Sequence, residues 1–116
     1  MRTIIKLAGA LLEDEAVVRS LARQIAAIAK EGHEILVVHG GGRLFTATLK
    51  RLGIESKFVA GLRVTDRETR DVAVMVFAGL LNKRLSAAIS AEMVVREWGR
   101  SRGEILTKFL RRYALT

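Results

Sequence analysis

The sequence predicts a mixed α/β fold of three layers, helix on sheet on helix, with a mostly parallel sheet. Short apolar runs rich in β-branched residues alternate with segments whose apolar residues recur at helical spacing. The second apolar run, residues 35–38, is uninterrupted, which is typical of a parallel strand covered on both faces. The 116 residues suffice for one compact domain. We divide them into an α/β domain, residues 1–91, and a basic amphipathic helical tail, residues 92–116.

The first half of the chain predicts a strand, a helix, a strand and a helix in that order. Residues 3–7 form the first predicted strand, and Asp14 is placed to cap the helix that follows. That helix ends before Gly32, where a left-handed residue is favoured. Residues 34–39 predict the second strand, and residues 43–52 predict the second helix.

The second half predicts a hairpin and one long helix. Residues 56–64 read as two short strands joined by a turn at Ala60-Gly61. Thr65 and Glu68 have the spacing of a capping box, which places the start of a helix here. This helix, residues 66–91, is apolar nearly all round in its middle, so we expect it to be buried on more than one side and to form a homodimer interface.

Composition limits the classes of function. The net charge of +8 suits either nucleic acid or a small anionic ligand. Only 5% of residues are aromatic and the basic residues are spread along the chain, which argues against a base-stacking nucleic-acid surface. The absence of cysteine fits a cytoplasmic protein. No long uncharged apolar stretch and no secretory leader is recognisable, so we expect no membrane association.

A run of three glycines is the strongest local signal. His39 ends the second predicted strand, and Gly40, Gly41 and Gly42 separate it from the next helix. Glycines let a backbone approach a ligand closely, and the N–H groups at a helix start attract carboxylate or phosphate. The spacing is not that of a P-loop. The alternative interpretation is a tight turn, although one glycine would serve that purpose.

Two basic side chains are the other candidates. Lys6 interrupts an apolar strand near its carboxyl end, which is where ligands bind in parallel sheets. The alternative interpretation is a lysine on an edge strand whose side chain extends into water. Arg63 ends the hairpin and is either a solvated arginine or a bidentate grip on a carboxylate. The sequence predicts a structural role for His39 at the end of its strand. It predicts that Asn82-Lys83 is a polar patch on the long helix. No set of residues predicts a metal site.

Taken in order, these features resemble the acetylglutamate kinases of the amino acid kinase family. The resemblance covers about residues 3–90. The matching stretches are Ile4-Ile5-Lys6-Leu7-Ala8-Gly9, Val37-Val38-His39-Gly40-Gly41-Gly42, Leu49-Lys50-Arg51-Leu52-Gly53-Ile54, Gly61-Leu62-Arg63-Val64-Thr65-Asp66 and the helix motif Asn82-Lys83.

The resemblance implies a reaction and a role for each candidate residue. The family transfers the γ-phosphoryl group of Mg-ATP to the side-chain carboxylate of N-acetyl-L-glutamate, in arginine biosynthesis. Lys6 resembles the lysine that stabilises the transition state, and Gly9 resembles a glycine that faces the phosphates. Gly40 and Gly41 resemble the backbone donors to the acyl substrate. Arg63 resembles the arginine that holds the α-carboxylate, on a hairpin that resembles a lid.

Two departures from the family pattern bear on activity. Ala8 stands where the family usually has a glycine, so we expect its methyl group to crowd the phosphates. Most of the ATP-binding half of the family is missing from this sequence, so we expect a truncated form that is inactive alone. Whether the chain is an enzyme stays open at this point. The alternative is a non-catalytic dimerising module that binds an acidic metabolite.

Overall fold

A computed structural model of the protein describes residues 1–97 and has a mixed α/β fold with a parallel sheet, as the sequence predicts. A 3₁₀ turn, Gly9–Glu13, precedes the first helix, and a π-helical segment, Met75–Leu81, separates the last two. The strands and helices are β1 (Arg2–Leu7), α1 (Glu15–Lys30), β2 (Glu34–His39), α2 (Gly42–Arg51), β3 (Phe58–Val59), β4 (Leu62–Arg63), α3 (Arg67–Val74) and α4 (Asn82–Glu97).

The two pairs of strands form separate sheets. β1 and β2 are parallel and in register from Arg2 opposite Glu34 to Leu7 opposite His39, with α1 as the crossover. β3 and β4 form the predicted antiparallel hairpin around Ala60-Gly61. Both strands of the parallel sheet end at one edge, so the loops that follow Leu7 and His39 are neighbours.

The faces of the parallel sheet differ. Residues that alternate toward the helices, such as Ile5 and Val37, pack against the core. On the opposite face Ile4, Leu36 and Val38 are 70%, 59% and 44% exposed. The continuous apolar run of β2 predicts helices on both faces, whereas residues 1–97 supply a helical layer on one face.

The helix starts show one confirmed prediction and one correction. The Asp14 carboxylate caps α1 by accepting hydrogen bonds from the backbone N–H of Ala16 and Val17. The predicted capping box at Thr65 is wrong by one residue, because Asp66 is the cap and accepts from the N–H of Thr69 at 2.8 Å. The Thr65 hydroxyl donates instead to the carbonyl of Arg63. Aspartate and threonine are both favoured as helix N-caps, so the sequence pattern alone does not distinguish Thr65 from Asp66.

The long helical region departs from a regular α-helix. It runs from Arg67 to Glu97 through the π-helical segment, past the end predicted near residue 91. It therefore crosses the predicted domain boundary without a break. The amphipathic helix predicted further along the tail lies outside the described residues.

The core lies between this helical region, α1 and α2. Leu49 and Leu81 are fully buried, with Phe45, Val72 and Leu85 among their buried neighbours. By length and composition alone the stretch Arg67–Val94 would suffice to cross a bilayer. Its most apolar 18-residue window has a mean hydropathy of 1.5 and is 22% buried. Core helices of water-soluble proteins can be as long and as apolar, although they are mostly buried, so one helix of this kind is weak evidence of a membrane span.

Candidate functional site

The loops at the carboxyl ends of β1 and β2 are packed backbone against backbone. A Cβ atom on Gly9 would lie 2.8 Å from the carbonyl carbon of Gly40 and closer still to the backbone of Gly41. Real Cβ atoms do not approach that closely, so only glycine fits at position 9 in this arrangement. The structure thus brings together the three glycines that the sequence singles out at positions 9, 40 and 41. We call Gly9 and Gly40–Gly42 the glycine corner.

The glycine corner rests on the π-helical segment. Gly41 is buried, and a Cβ atom there would meet the ring of Phe77 at 3.2 Å and a methyl group of Leu81. Gly40 is exposed and has open space where its side chain would be. Sequence reasoning missed Phe77 and Leu81, because nothing local indicates which face of a long apolar helix meets a distant loop. One side of the corner is therefore fixed and the other faces solvent.

The start of α2 lies in the glycine corner. The carbonyl of Gly41 accepts the first helical hydrogen bond, from the N–H of Phe45 at 2.9 Å, and within the described chain no side chain caps the helix. The backbone N–H groups of its first turn have no acceptor within the helix. Their partial positive charge is favourable for an anion. Arg43 in this turn makes a long ion pair, 3.9 Å, with Glu13.

Arg63 is held from four sides by neutral groups. Its Nη1 donates to Ser56 Oγ at 2.5 Å and its Nη2 donates to Thr46 Oγ1 at 2.7 Å. The guanidinium carbon lies 4.7 Å from the ring centre of Phe45 and 4.6 Å from that of Phe58. Among the side chains of residues 1–94 no carboxylate comes within 4 Å of this guanidinium.

Thr46 connects the hairpin to the glycine corner. Its hydroxyl accepts from Arg63 and donates to the carbonyl of Gly42 at 2.8 Å, on the preceding turn of α2. Arg63 is therefore one side chain away from the helix start. Sequence reasoning did not single out Phe45 and Thr46, since their contact with Arg63 depends on the packing of the hairpin against α2. It also did not single out Ser56 and Phe58, although Phe58 lies directly opposite Arg63 in the pairing of β3 with β4, so the hairpin pattern could have indicated that contact.

Lys6 is placed differently. It is exposed near the end of β1, opposite Val38, on the uncovered face of the sheet. Among the described side chains Lys6 has no hydrogen-bond or ion-pair partner. The structure thus gathers Gly9, Gly40, Gly41 and Arg63, and it leaves both interpretations of Lys6 open.

The remaining candidates have structural roles. Nδ1 of His39 donates to the carbonyl of Gly40 at 3.0 Å, which ties the strand end to the loop. Asn82 and Lys83 form the start of α4. Within residues 1–94, whose side chains the structure describes, no group of three His, Cys, Asp or Glu could hold a metal ion.

The carboxyl group of Asp66 has a lowered pKa. The backbone N–H of Thr69 and its hydroxyl hydrogen-bond the carboxylate of Asp66, and these bonds hold its pKa below the ordinary 3.8. Asp66 follows Arg63 by three residues. Its cap therefore fixes the point at which the hairpin passes into α3.

Comparison with known proteins adds independent support for the fold. The model of the amino acid kinase family matches residues 1–105. Acetylglutamate kinase from Koribacter versatilis is 56% identical over 91 residues, which cover 78% of this chain and 35% of that protein. The enzyme of the same name from Acidobacterium capsulatum is 50% identical over 91 residues, with the same shares.

A solved structure shows the same architecture. It is N-acetylglutamate synthase from Neisseria gonorrhoeae complexed with coenzyme A and N-acetyl-glutamate, with a TM-score of 0.65 and 26% identity over 80% of this chain and 22% of that one. The present chain spans 35% of the length of the first two curated relatives. From the family match over residues 1–105, together with these relatives, the chain belongs to the amino acid kinase family.

Proposed function

We propose that this chain is the acyl-substrate-binding part of an acetylglutamate kinase and binds N-acetyl-L-glutamate or a similar acidic small molecule. The observation that carries the proposal is the environment of Arg63, a half-buried cation whose neighbours are all neutral. A buried cation is ordinarily paired with an anion, so an unpaired one beside a helix start suits an anionic ligand.

The donors of Arg63 suit a carboxylate. A guanidinium has five N–H groups, and the hydroxyls of Ser56 and Thr46 take two of them. The remaining three lie in the plane of the group, where two can bind a carboxylate side by side. The N–H groups at the start of α2 would receive a second polar group of the same ligand, as the resemblance implies for Gly40 and Gly41.

The kinase reaction needs a phosphoryl donor as well. ATP would supply the γ-phosphoryl group, and the exposed ammonium of Lys6 and the backbone at Gly9 are the groups of this chain that fit it. The described residues do not fit a protein-held magnesium site. Because the chain spans 35% of the length of its relatives, we propose that residues 1–116 alone turn over poorly or not at all.

The long helix favours a second element of the proposal, a homodimer. Val74, Met75 and Leu80 are large apolar side chains on this helix, and each is more than a third exposed. Exposed apolar side chains on one helix suit contact with a second copy of the chain. Such a module, binding an acidic metabolite without catalysis, is the second candidate function. Light scattering at high protein concentration tests it, with Met75→Glu as the variant expected to be monomeric.

Ligand-induced stabilisation tests the proposed substrate. At 100 times its dissociation constant, N-acetyl-L-glutamate should stabilise the folded chain by about 2.7 kcal/mol. Arg63→Met keeps an unbranched stem between the two rings and removes the charge, so the rise in melting temperature should vanish. Arg67→Met removes the same charge from an exposed arginine outside the site and should keep the rise. No rise in the parent, or an equal rise in both variants, would contradict the proposal.

A further inference from the structure

The two rings that enclose Arg63 come from different elements. Phe45 belongs to α2 and is buried, whereas Phe58 belongs to β3 and is 58% exposed. Both ring centres lie within 5 Å of the guanidinium carbon, at 4.7 and 4.6 Å, which is the range of cation–π attraction. Two aromatic rings therefore pack against the guanidinium, one from α2 and one from the hairpin, and they restrict the directions from which a ligand can approach it.

The edge of the guanidinium is ordered by a chain of hydrogen bonds. The Thr46 hydroxyl donates its only proton to the carbonyl of Gly42, so its lone pairs are the atoms that face Arg63. Ser56 holds the other terminal nitrogen at 2.5 Å. The plane of the guanidinium and its rotation within that plane are thereby fixed before any ligand arrives.

We propose that Phe58 and Thr46 are positioning residues that preorganise Arg63 and thereby set the selectivity of the site for a carboxylate over the corresponding neutral amide. The inference rests on the proposed function and deepens it. Preorganised donors lose little conformational freedom on binding, and they bind an ionised acceptor about twice as strongly as a neutral one. A loosened arginine reorients to suit either group, so selectivity falls.

Phe58 is the adjustable part of this arrangement. Phe45 also packs against Phe77, with ring centres 5.2 Å apart, and is held by the core whether or not Arg63 is present. Phe58 lies on a hairpin whose neighbouring side chains, Val59 and Leu62, are exposed. Phe58 is the cross-strand partner of Arg63 on β4, so its contact orients the guanidinium from within the hairpin.

Matched variants separate positioning from simple packing. Phe58→Leu removes the aromatic face and keeps an apolar side chain, and Phe58→Tyr restores the face. Thr46→Val removes the hydroxyl at nearly constant shape, and Thr46→Ser restores it. The measured quantity is the ratio of the calorimetric affinities for N-acetyl-L-glutamate and for its α-carboxamide. The ratio is used because a general loss of structure lowers both affinities together.

We expect the acid-to-amide ratio to fall roughly tenfold in Phe58→Leu and in Thr46→Val, and to return in Phe58→Tyr and Thr46→Ser. A parent that prefers the acid, with the same ratio in all four variants, would overturn the positioning role and leave the proposed function standing. A parent that binds neither compound would overturn the proposed function and the inference together. If one variant does not fold, the pair at the other position gives the answer.

Discussion

The glycine corner and the hairpin lie side by side in the candidate site and are held together in opposite ways. In the corner, backbone packs directly on backbone, and Gly41 is pressed against Phe77 and Leu81. In the hairpin, three large apolar side chains are exposed, and the contacts to the rest of the protein converge on Arg63.

This difference assigns different properties to the two regions. At Gly9 and Gly41 the corner leaves no room for an added atom, so this part should behave as a rigid wall. The hairpin depends on a few polar and cation–π contacts, which are individually weak, so it should open locally without global unfolding. A site of one fixed wall and one adjustable cover suits a small ligand that must enter and leave.

The largest expected effect on stability comes from adding one methyl group at Gly9 in the glycine corner. Gly9→Ala places a methyl group inside the backbone of residues 40–41, and forced overpacking of this kind destabilises by roughly 3 kcal/mol. Chemical denaturation of the variant measures the loss. Gly42→Ala is the control, because a Cβ atom there meets nothing within 4 Å. Equal stability of the two variants would show that the corner is not closely packed.

A smaller effect is expected from removing Arg63, whose contacts hold the hairpin against α2. In Arg63→Met the two hydrogen bonds and the cation–π contacts are lost, so the hairpin should open more often. Hydrogen exchange at the amide of Val64, which donates to the carbonyl of Lys57, should accelerate roughly tenfold. The amide of Phe45, in the first turn of α2, should exchange as in the parent. Equal acceleration at both amides would mean that the hairpin and the corner open as one unit.

The turn of the hairpin is expected to respond to a milder change. Ala60 has a φ of 50° and Gly61 a φ of 77°, the left-handed pair of a type I′ turn, in which Asn-Gly is preferred. Ala60→Asn should therefore stabilise the protein by about 0.5 kcal/mol. Gly61→Ala, the reverse test, should destabilise it. A lower melting temperature in Ala60→Asn together with a higher one in Gly61→Ala would contradict the type I′ turn.

The smallest expected effect is on the stability of the protein at acidic pH. The pKa of Asp66 is lowered on folding, so its capping contribution is complete above the unfolded pKa and is lost as the pH falls through the folded value. Between pH 6 and pH 3 the melting temperature of the parent should fall more steeply than that of Asp66→Asn, which keeps a neutral cap. If the melting temperatures of the two proteins fall in parallel with pH, the Asp66 carboxylate does not contribute to the pH dependence of stability.

Local patterns predicted much of this fold. Strand and helix order, the Asp14 cap, the turn at Ala60-Gly61 and the importance of the glycine run all follow from neighbouring residues. The cap at Asp66 was missed because two adjacent residues satisfy the same rule. Phe45 and Thr46 were missed as partners of Arg63 because they reach it only after α2 and the hairpin have packed together. Phe58 is the cross-strand partner of Arg63, so the register of the hairpin could have indicated it.

The long helix and the sheet show the same limit. The π-helical segment changes which side chains face the glycine corner, and composition does not signal such a change. The apolar run of β2 predicted cover on both faces, but the pattern does not say which residues supply it. The predicted homodimer, the predicted nucleotide and the predicted role of Lys6 stay predictions.

An NMR titration of the ¹⁵N-labelled chain with N-acetyl-L-glutamate tests the central claim most directly, because it reports on the wall and the cover at once. We expect saturable shifts of the amides of Gly40, Gly41 and Gly42 and of the Arg63 Nε–H, with the amide of Gly32 unmoved as an internal reference. Saturable shifts confined to other parts of the chain, or no shifts, would contradict it.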